Sequence, residues 1–430
     1  SAKETISTAG PTEQTRTDAQ ISLQTLSSKP WLVSGGDVLI ELTLDERVSA
    51  DDIVLALDGI ELASSLNQVA PSRFQAVIRN LPEGDSTFTA KIAGQESKAS
   101  LRLSNYPISG PIISGPHEMP FQCQTEEFEL VGGELLGPTF DSDCSIPTRI
   151  DYVYWSATDE IFKPLNRFLT TNDPEDIAEI VNFKGESIPY IVRVETGTVN
   201  RAIYEIAKLH DSVNGELDPW NSSEDWNGKL VYTHGGGCRG GWYQQGSNTG
   251  GVMRRGLFEQ GYAVTSSTLN VFGQNCNDLL ASETHIMVKE RFKENYGVPE
   301  YTIATGSSGG SYQSHQTADN YPGVFDGIIV ASSFPDVTSA TIFTVVDARL
   351  LNYYFIVTNA KDFTIEQQRA ISGFGSWASI PNLARGAARL DPIYLMETLP
   401  EEQGGEVSIS SLVPELYSES NPTGIRATVY

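Results

Sequence analysis

The chain has 430 residues, 39% of them hydrophobic, 9% aromatic and 20% charged, long enough for two or three domains with their own cores. Fifty-five acidic against 29 basic side chains leave a formal charge of −26, a surface that repels nucleic acid and anionic membranes, so neither is expected as a partner. No run of 18 apolar residues occurs, so no transmembrane helix is expected.

Residues 1–19 are polar without an apolar core and read as a disordered leader or the start of a processed chain. From 20 to 105, short alternating segments at 37–44, 53–57, 74–78, 86–92 and 100–103 are separated by turn signals. Asp58-Gly59 is the clearest of these signals. The spacing predicts a small all-β, immunoglobulin-like sandwich. Residues 106–120, rich in Pro and Gly up to Pro116, read as a linker.

From 121 to 430 the pattern changes. Strands are predicted at 149–155, 190–194, 229–233, 262–265, 301–305 and 325–331, and helices at 251–260, 279–296 (amphipathic) and 310–321. Residues 201–209 fit either a strand or a short helix. Strands alternating with helices predict an α/β domain with a doubly wound, mostly parallel sheet. A lid-like helical region is expected over 347–410.

Cys123, Cys144, Cys238 and Cys276 include no C-x-x-C pair, and five histidines are too few to suggest zinc. Two disulfides are expected, with the sequence-local pairing Cys123–Cys144 and Cys238–Cys276 favoured among three. They imply a secreted or periplasmic protein. Nothing in the sequence calls for a cofactor or a metal.

Gly306-Ser307-Ser308-Gly309-Gly310 fits G-x-S-x-G between a predicted strand and a predicted helix. A turn that tight needs neighbours without bulky side chains. It would lift the Ser308 hydroxyl above the sheet at a helix N-terminus, where developing negative charge is favoured. Ser308 is therefore the candidate nucleophile. Upstream, Thr233-His234-Gly235-Gly236-Gly237-Cys238 follows directly on a strand. Amides of Gly236, Gly237 and Cys238, with that of Gly309, are candidate oxyanion donors.

These motifs, with Trp226-Asn227-Gly228-Lys229 and the run from Tyr321 to Ile329, resemble the tannase and feruloyl-esterase group of α/β-hydrolases. The run Glu294-Asn295-Tyr296-Gly297-Val298 before the elbow is similar to polyhydroxyalkanoate depolymerases. The blocks around Cys123, Cys144 and residues 191–197 look closest to a large family of secreted bacterial α/β-hydrolases. The resemblance covers roughly 121–430. It implies an α/β-hydrolase fold and a serine hydrolase acting on small-molecule or polymer esters. An amidase or peptidase with the same machinery, or a non-catalytic binding or adhesion protein, remain alternatives.

Such chemistry needs a histidine and an acid, normally C-terminal to the serine. The histidines are His117, His210, His234, His285 and His315, and none follows His315. His315 is about two helical turns beyond Ser308, roughly 10 Å along the axis. Asp336 and Asp391 are the acid candidates. The hydrolase domain reads as incomplete at its C-terminus: a further segment is expected to supply the histidine, either a second polypeptide, as in a proteolytically processed heterodimer, or sequence beyond residue 430 that is missing here.

Overall fold

The computed structural model describes residues 20–385, except 45–47, 64–65, 97, 118, 120, 166–173, 211–217, 222–223, 239–243, 335, 337–341 and 360–361. The expected leader (1–19), Asp391 and the lid-like region beyond 385 lie outside the described residues. The chain divides into two compact units between Asn105 and Tyr106.

The first unit contains β1 (Ser22–Thr25), β2 (Val33–Ser34), β3 (Val38–Thr43), β4 (Ile53–Leu57), β5 (Ile60–Glu61), β6 (Asn67–Ala70), β7 (Arg73–Ile78), β8 (Gly84–Ile92) and β9 (Lys98–Tyr106). They form two sheets, ordered β1-β3-β7-β6 and β2-β9-β8-β4-β5, with β1-β3-β7-β6 and β9-β8-β4-β5 antiparallel throughout. Period-two alternation makes each sheet one-sided. Phe74, Ala76 and Ile78 of β7 and Phe88, Ala90 and Ile92 of β8 enter one core supplied by both sheets. Asp58 and Gly59 both take positive φ (47° and 82°), the tight-turn geometry their sequence predicts.

In the second unit the strands are β10 (Arg149–Trp155), β11 (Phe162–Pro164), β12 (Glu179–Val181), β13 (Ser187–Pro189), β14 (Ile191–Val199), β15 (Ala202–Leu209), β16 (Lys229–Thr233), β17 (Ala263–Ser267), β18 (Tyr301–Ser307) and β19 (Gly327–Ala331). The described helices are α1 (Arg255–Phe258), α2 (Asp278–Tyr296), α3 (Gly309–Asn320), α4 (Ile342–Tyr353), α5 (Ile365–Ser372) and α6 (Ser379–Arg385). The helix predicted over 251–260 shrinks to α1, whose Gly-rich approach does not hold a helical turn. Part of the predicted lid-like region is thus helical.

Eight strands form one sheet in the order β11-β10-β14-β15-β17-β16-β18-β19. Only β17, β16, β18 and β19 pair in parallel; every other pairing is antiparallel. The expected mostly parallel sheet is therefore a mixed one. The reason is local. Asn200 and Arg201 both take positive φ (53° and 62°) and fold β14 back onto β15 as a two-residue hairpin. Asn-Arg lacks the glycine that usually marks such a turn, so the sequence left 201–209 open. Within the parallel half, β16 from Leu230 to Thr233 and β17 throughout show the continuous burial that central parallel strands need.

The α2 helix starts at Asn277, whose side chain accepts from the amides of Leu279 and Leu280, both at 3.0 Å. It is buried on polar as well as apolar positions, among them Glu283, His285, Lys289 and Glu290. The predicted amphipathic pattern thus gives way to a helix enclosed nearly all round. Glu283 shows how a buried charge is satisfied: its carboxylate accepts from the amides of Ile112, Ile113 and Ser114 at 2.7–2.8 Å and from the Ser114 hydroxyl at 2.9 Å. Part of the segment read as a linker is thereby tied to α2.

Candidate active site

Strand β18 ends at Ser307, helix α3 begins at Gly309, and Ser308 alone makes the turn. Its backbone sits at φ 58°, ψ −120°, a region that costs a non-glycine residue about 1–3 kcal/mol. The strain is held from both sides. The Ser308 amide donates to the Ala331 carbonyl of β19 at 3.1 Å, and its carbonyl accepts from the Tyr312 amide at 3.0 Å. The side chain is exposed and makes no capping bond, so the hydroxyl stands at the helix N-terminus facing solvent.

Close backbone approach explains the flanking glycines. A Cβ on Gly306 would lie 2.8 Å from the Gly310 carbonyl carbon, and one on Gly309 would lie 1.9 Å from the Gly237 carbonyl oxygen. The second contact ties the elbow to the glycine-rich turn after β16. Gly236 lies against it as well, since a Cβ there would be 2.9 Å from the Ser307 oxygen and 3.6 Å from Ser308 Cβ. Elbow and turn, some seventy residues apart in sequence, are therefore in backbone contact.

Several bonds fix that turn. The His234 amide donates to Thr305 of β18 at 2.9 Å, the Gly235 amide to Asn270 at 3.0 Å, and the Gly273 amide to Gly236 at 2.7 Å. The disulfides are Cys123–Cys144 and Cys238–Cys276, the favoured pairing, and the second anchors the end of the turn to the start of α2. Two residues outside the motifs complete the brace. Gln313 of α3 donates through Nε2 to the carbonyls of Gly235 and Asn270, at 3.2 and 3.0 Å. The buried Asn270 side chain accepts from Tyr232 at 2.7 Å and from Ser267 at 2.6 Å. Polar residues next to glycine-rich motifs were the available signal, but their partners are distant in sequence.

Two of the five histidines are buried together. His234 and His285 are buried with ring centroids 4.6 Å apart, among Tyr232 and Phe325. His234 Nδ1 meets the Ser314 hydroxyl at 2.7 Å and His285 Nδ1 meets Thr317 at 3.0 Å. Burial pushes the His234 imidazole down to about 3 and holds His285 well below the usual range, so both stay neutral. His117 lies 3.9 Å from Asp143, His210 packs on Tyr152, and His315 is exposed on α3. None of the five imidazoles is bonded to Ser308. Of the acid candidates, Asp336 is exposed in the segment after β19.

Residues 23–430 match the sequence family described as a "Tannase-like family of unknown function (DUF6351)". Among solved structures the chain is similar to the tannin acyl hydrolase from Aspergillus niger, at 17% identity over 55% of this chain and 42% of that one, TM-score 0.27. The chain therefore spans less than half of that enzyme. It is also similar to titin tandem immunoglobulin domains, at 10% identity over 46% of this chain and 92% of that one, TM-score 0.15. No curated protein matches the chain.

Proposed function

Since the chain belongs to this tannase-like family, we propose that it is a serine hydrolase cleaving carboxylic esters through an acyl-enzyme on Ser308. The observation carrying the proposal is the strained, exposed Ser308 with the glycine turn of Gly236 and Gly237 packed against it. Strain of this kind persists only where the surroundings over-determine it, and it concentrates at functional sites. The Ser308 oxygen attacks the acyl carbon, its proton passes to a base and on to the departing alcohol oxygen, and water then releases the acid. Amides of Gly309 and of the 236–238 turn stabilise the oxyanion. The two disulfides support an oxidising, extracellular or periplasmic setting.

The base is assigned to a segment outside these 430 residues, either a second polypeptide or further sequence of the same one, because all five histidines in the sequence are described and none is bonded to Ser308. Among the described residues β19 is the edge strand on the parallel side of the sheet, and its Ile329 is 69% exposed. Such an edge suits pairing with a further strand. The fold read here is that of an α/β-hydrolase, with the elbow at a strand-to-helix turn as that fold's chemistry requires.

A fluorophosphonate probe tests the assignment. The native protein, isolated with whatever chain accompanies it, should be labelled on Ser308. Ser308→Ala should remove labelling together with ester turnover, by several orders of magnitude. Labelling that survives the substitution would overturn the reading.

A further inference from the structure

Tyr312 stands one helical turn beyond Ser308 on α3, so the two lie on the same helix face. A helical side chain leans toward the N-terminus and covers the preceding turn, which here is the elbow. Three other segments meet at this phenol. Its hydroxyl donates to Asp278 Oδ2 at 2.9 Å, at the first turn of α2. Its ring stacks on Phe334 at 6.0 Å and 15°, and tilts against Phe272 at 6.0 Å and 55°. Phe272 itself donates its amide to Gly235 in the glycine turn. Phe272 is buried, whereas Tyr312, Phe334 and Asp278 are only half-buried.

The result is an aromatic wall beside the proposed nucleophile, tipped by a carboxylate. One Asp278 oxygen is held by Tyr312. Burial pushes this carboxyl above the usual range, only partly offset by the Tyr312 bond. A further hydrogen-bond donor at Asp278 would therefore be favoured, since it restores what desolvation removes. Deletion of such a donor from a ligand is penalised far more strongly than a change in apolar size.

We infer that Tyr312 and Asp278 are specificity-determining residues, and that Asp278 accepts a hydrogen bond from a hydroxyl on a ring of the substrate lying along the Tyr312–Phe334 wall. The inference rests on the esterase reading, and its test is separable from that reading. A hydroxylated ring can be aromatic or a saturated polyol, so both are probed.

Equilibrium titration of the Ser308→Ala protein compares two matched pairs, methyl 4-hydroxybenzoate with methyl benzoate and myo-inositol with cyclohexanol. In at least one pair the hydroxylated member should bind about tenfold tighter or more, the worth of a bond to a charged group. Which pair responds identifies the ring class. Asp278→Asn should shrink that preference to below about threefold while leaving the hydroxyl-free member unchanged. Tyr312→Phe, which keeps the ring, should retain stacking and lose only part of the preference. Should Asp278→Asn fail to fold, Asp278→Ser serves, with the same expectation. Equal binding within both pairs, no binding of any ligand, or a preference that survives loss of the carboxylate overturns the inference. Failure of wild-type Ser308 to label with fluorophosphonate would instead overturn the esterase reading.

Discussion

The two halves of the mixed sheet place polar groups in opposite ways. At the parallel half, β18 and α3 hold a single hydroxyl out in solvent on a strained backbone, with glycines packed at 1.9–2.9 Å from what a Cβ would touch. At the antiparallel half, β14 and β15 bury charge against α2. Glu195, 3% exposed, accepts from Tyr204 at 2.8 Å, from Arg291 at 3.3 Å and from Tyr296, which in turn accepts from Arg193. Backbone shape makes the first region and mutual satisfaction of long side chains makes the second. The first should be intolerant of a single carbon and the second intolerant of a missing charge.

The largest effect belongs to the elbow. In Gly309→Ala the new methyl would collide with the Gly237 oxygen, and backbone atoms cannot swing away as a flexible side chain can. The turn must shift, moving the candidate oxyanion donors by a fraction of an ångström or more. Misplacement on that scale costs about 10²-fold in rate. The rate of fluorophosphonate labelling should fall by at least that factor, and a labelling rate within about threefold of wild type would show that the turn is not held as tightly as the contacts imply.

Glu195→Ala should act on stability. Removing one partner of a buried ionic cluster leaves Arg291 and Arg193 without compensation, which costs about 3–5 kcal/mol. The urea midpoint should fall accordingly, while labelling of Ser308 at low temperature changes little, because the Glu195 cluster joins β14, β15 and α2 whereas Ser308 is held by β18, β19 and α3. A large loss of labelling in the still-folded protein would mean that the halves are coupled.

The contrast also explains what was legible in the sequence. G-x-S-x-G, the glycine turn and Asp58-Gly59 announce themselves, because each demands a residue type that few other conformations require. Strands β16, β17 and β18 were legible as compact apolar runs, and the disulfide pairing followed from sequence proximity. The Asn200-Arg201 hairpin was not, since neither residue is an obligate turn former, and with it went the antiparallel half of the sheet. Gln313, Asn270, Asp278 and Tyr312 were equally hidden. Most of their partners lie 34 to 78 residues away, and polar residues of these types are ordinary surface residues until the fold joins them.

The smallest expected effect concerns Lys208, which adjoins the buried charge cluster yet is not part of it. The residue is 1% exposed, and among the described residues its Nζ has no hydrogen-bond partner. It lies 5.7 Å from the Trp226 ring and 5.4 Å from the Tyr296 ring. Burial, aided by Arg193 and opposed by Asp225, brings its pKa down from 10.5 to about 7. The folded-state value therefore lies below the unfolded one. Below pH 7 both states are protonated and the fold bears the full cost of a buried ammonium. Between pH 7 and about 10.5 the unfolded chain binds more protons, so stability rises with pH in that window. Lys208→Met keeps the volume and removes the charge. The variant should melt higher than wild type at pH 6, by roughly 2–4 °C for each kcal/mol recovered, and the advantage should close as pH approaches 10. Lys289, lowered to about 7 by its own burial, has the same sign but is present in both proteins and cancels in the difference. A melting difference that stays constant from pH 6 to 10 would mean that Lys208 contributes packing and not charge, making the antiparallel half more like an apolar core than the Glu195 cluster suggests.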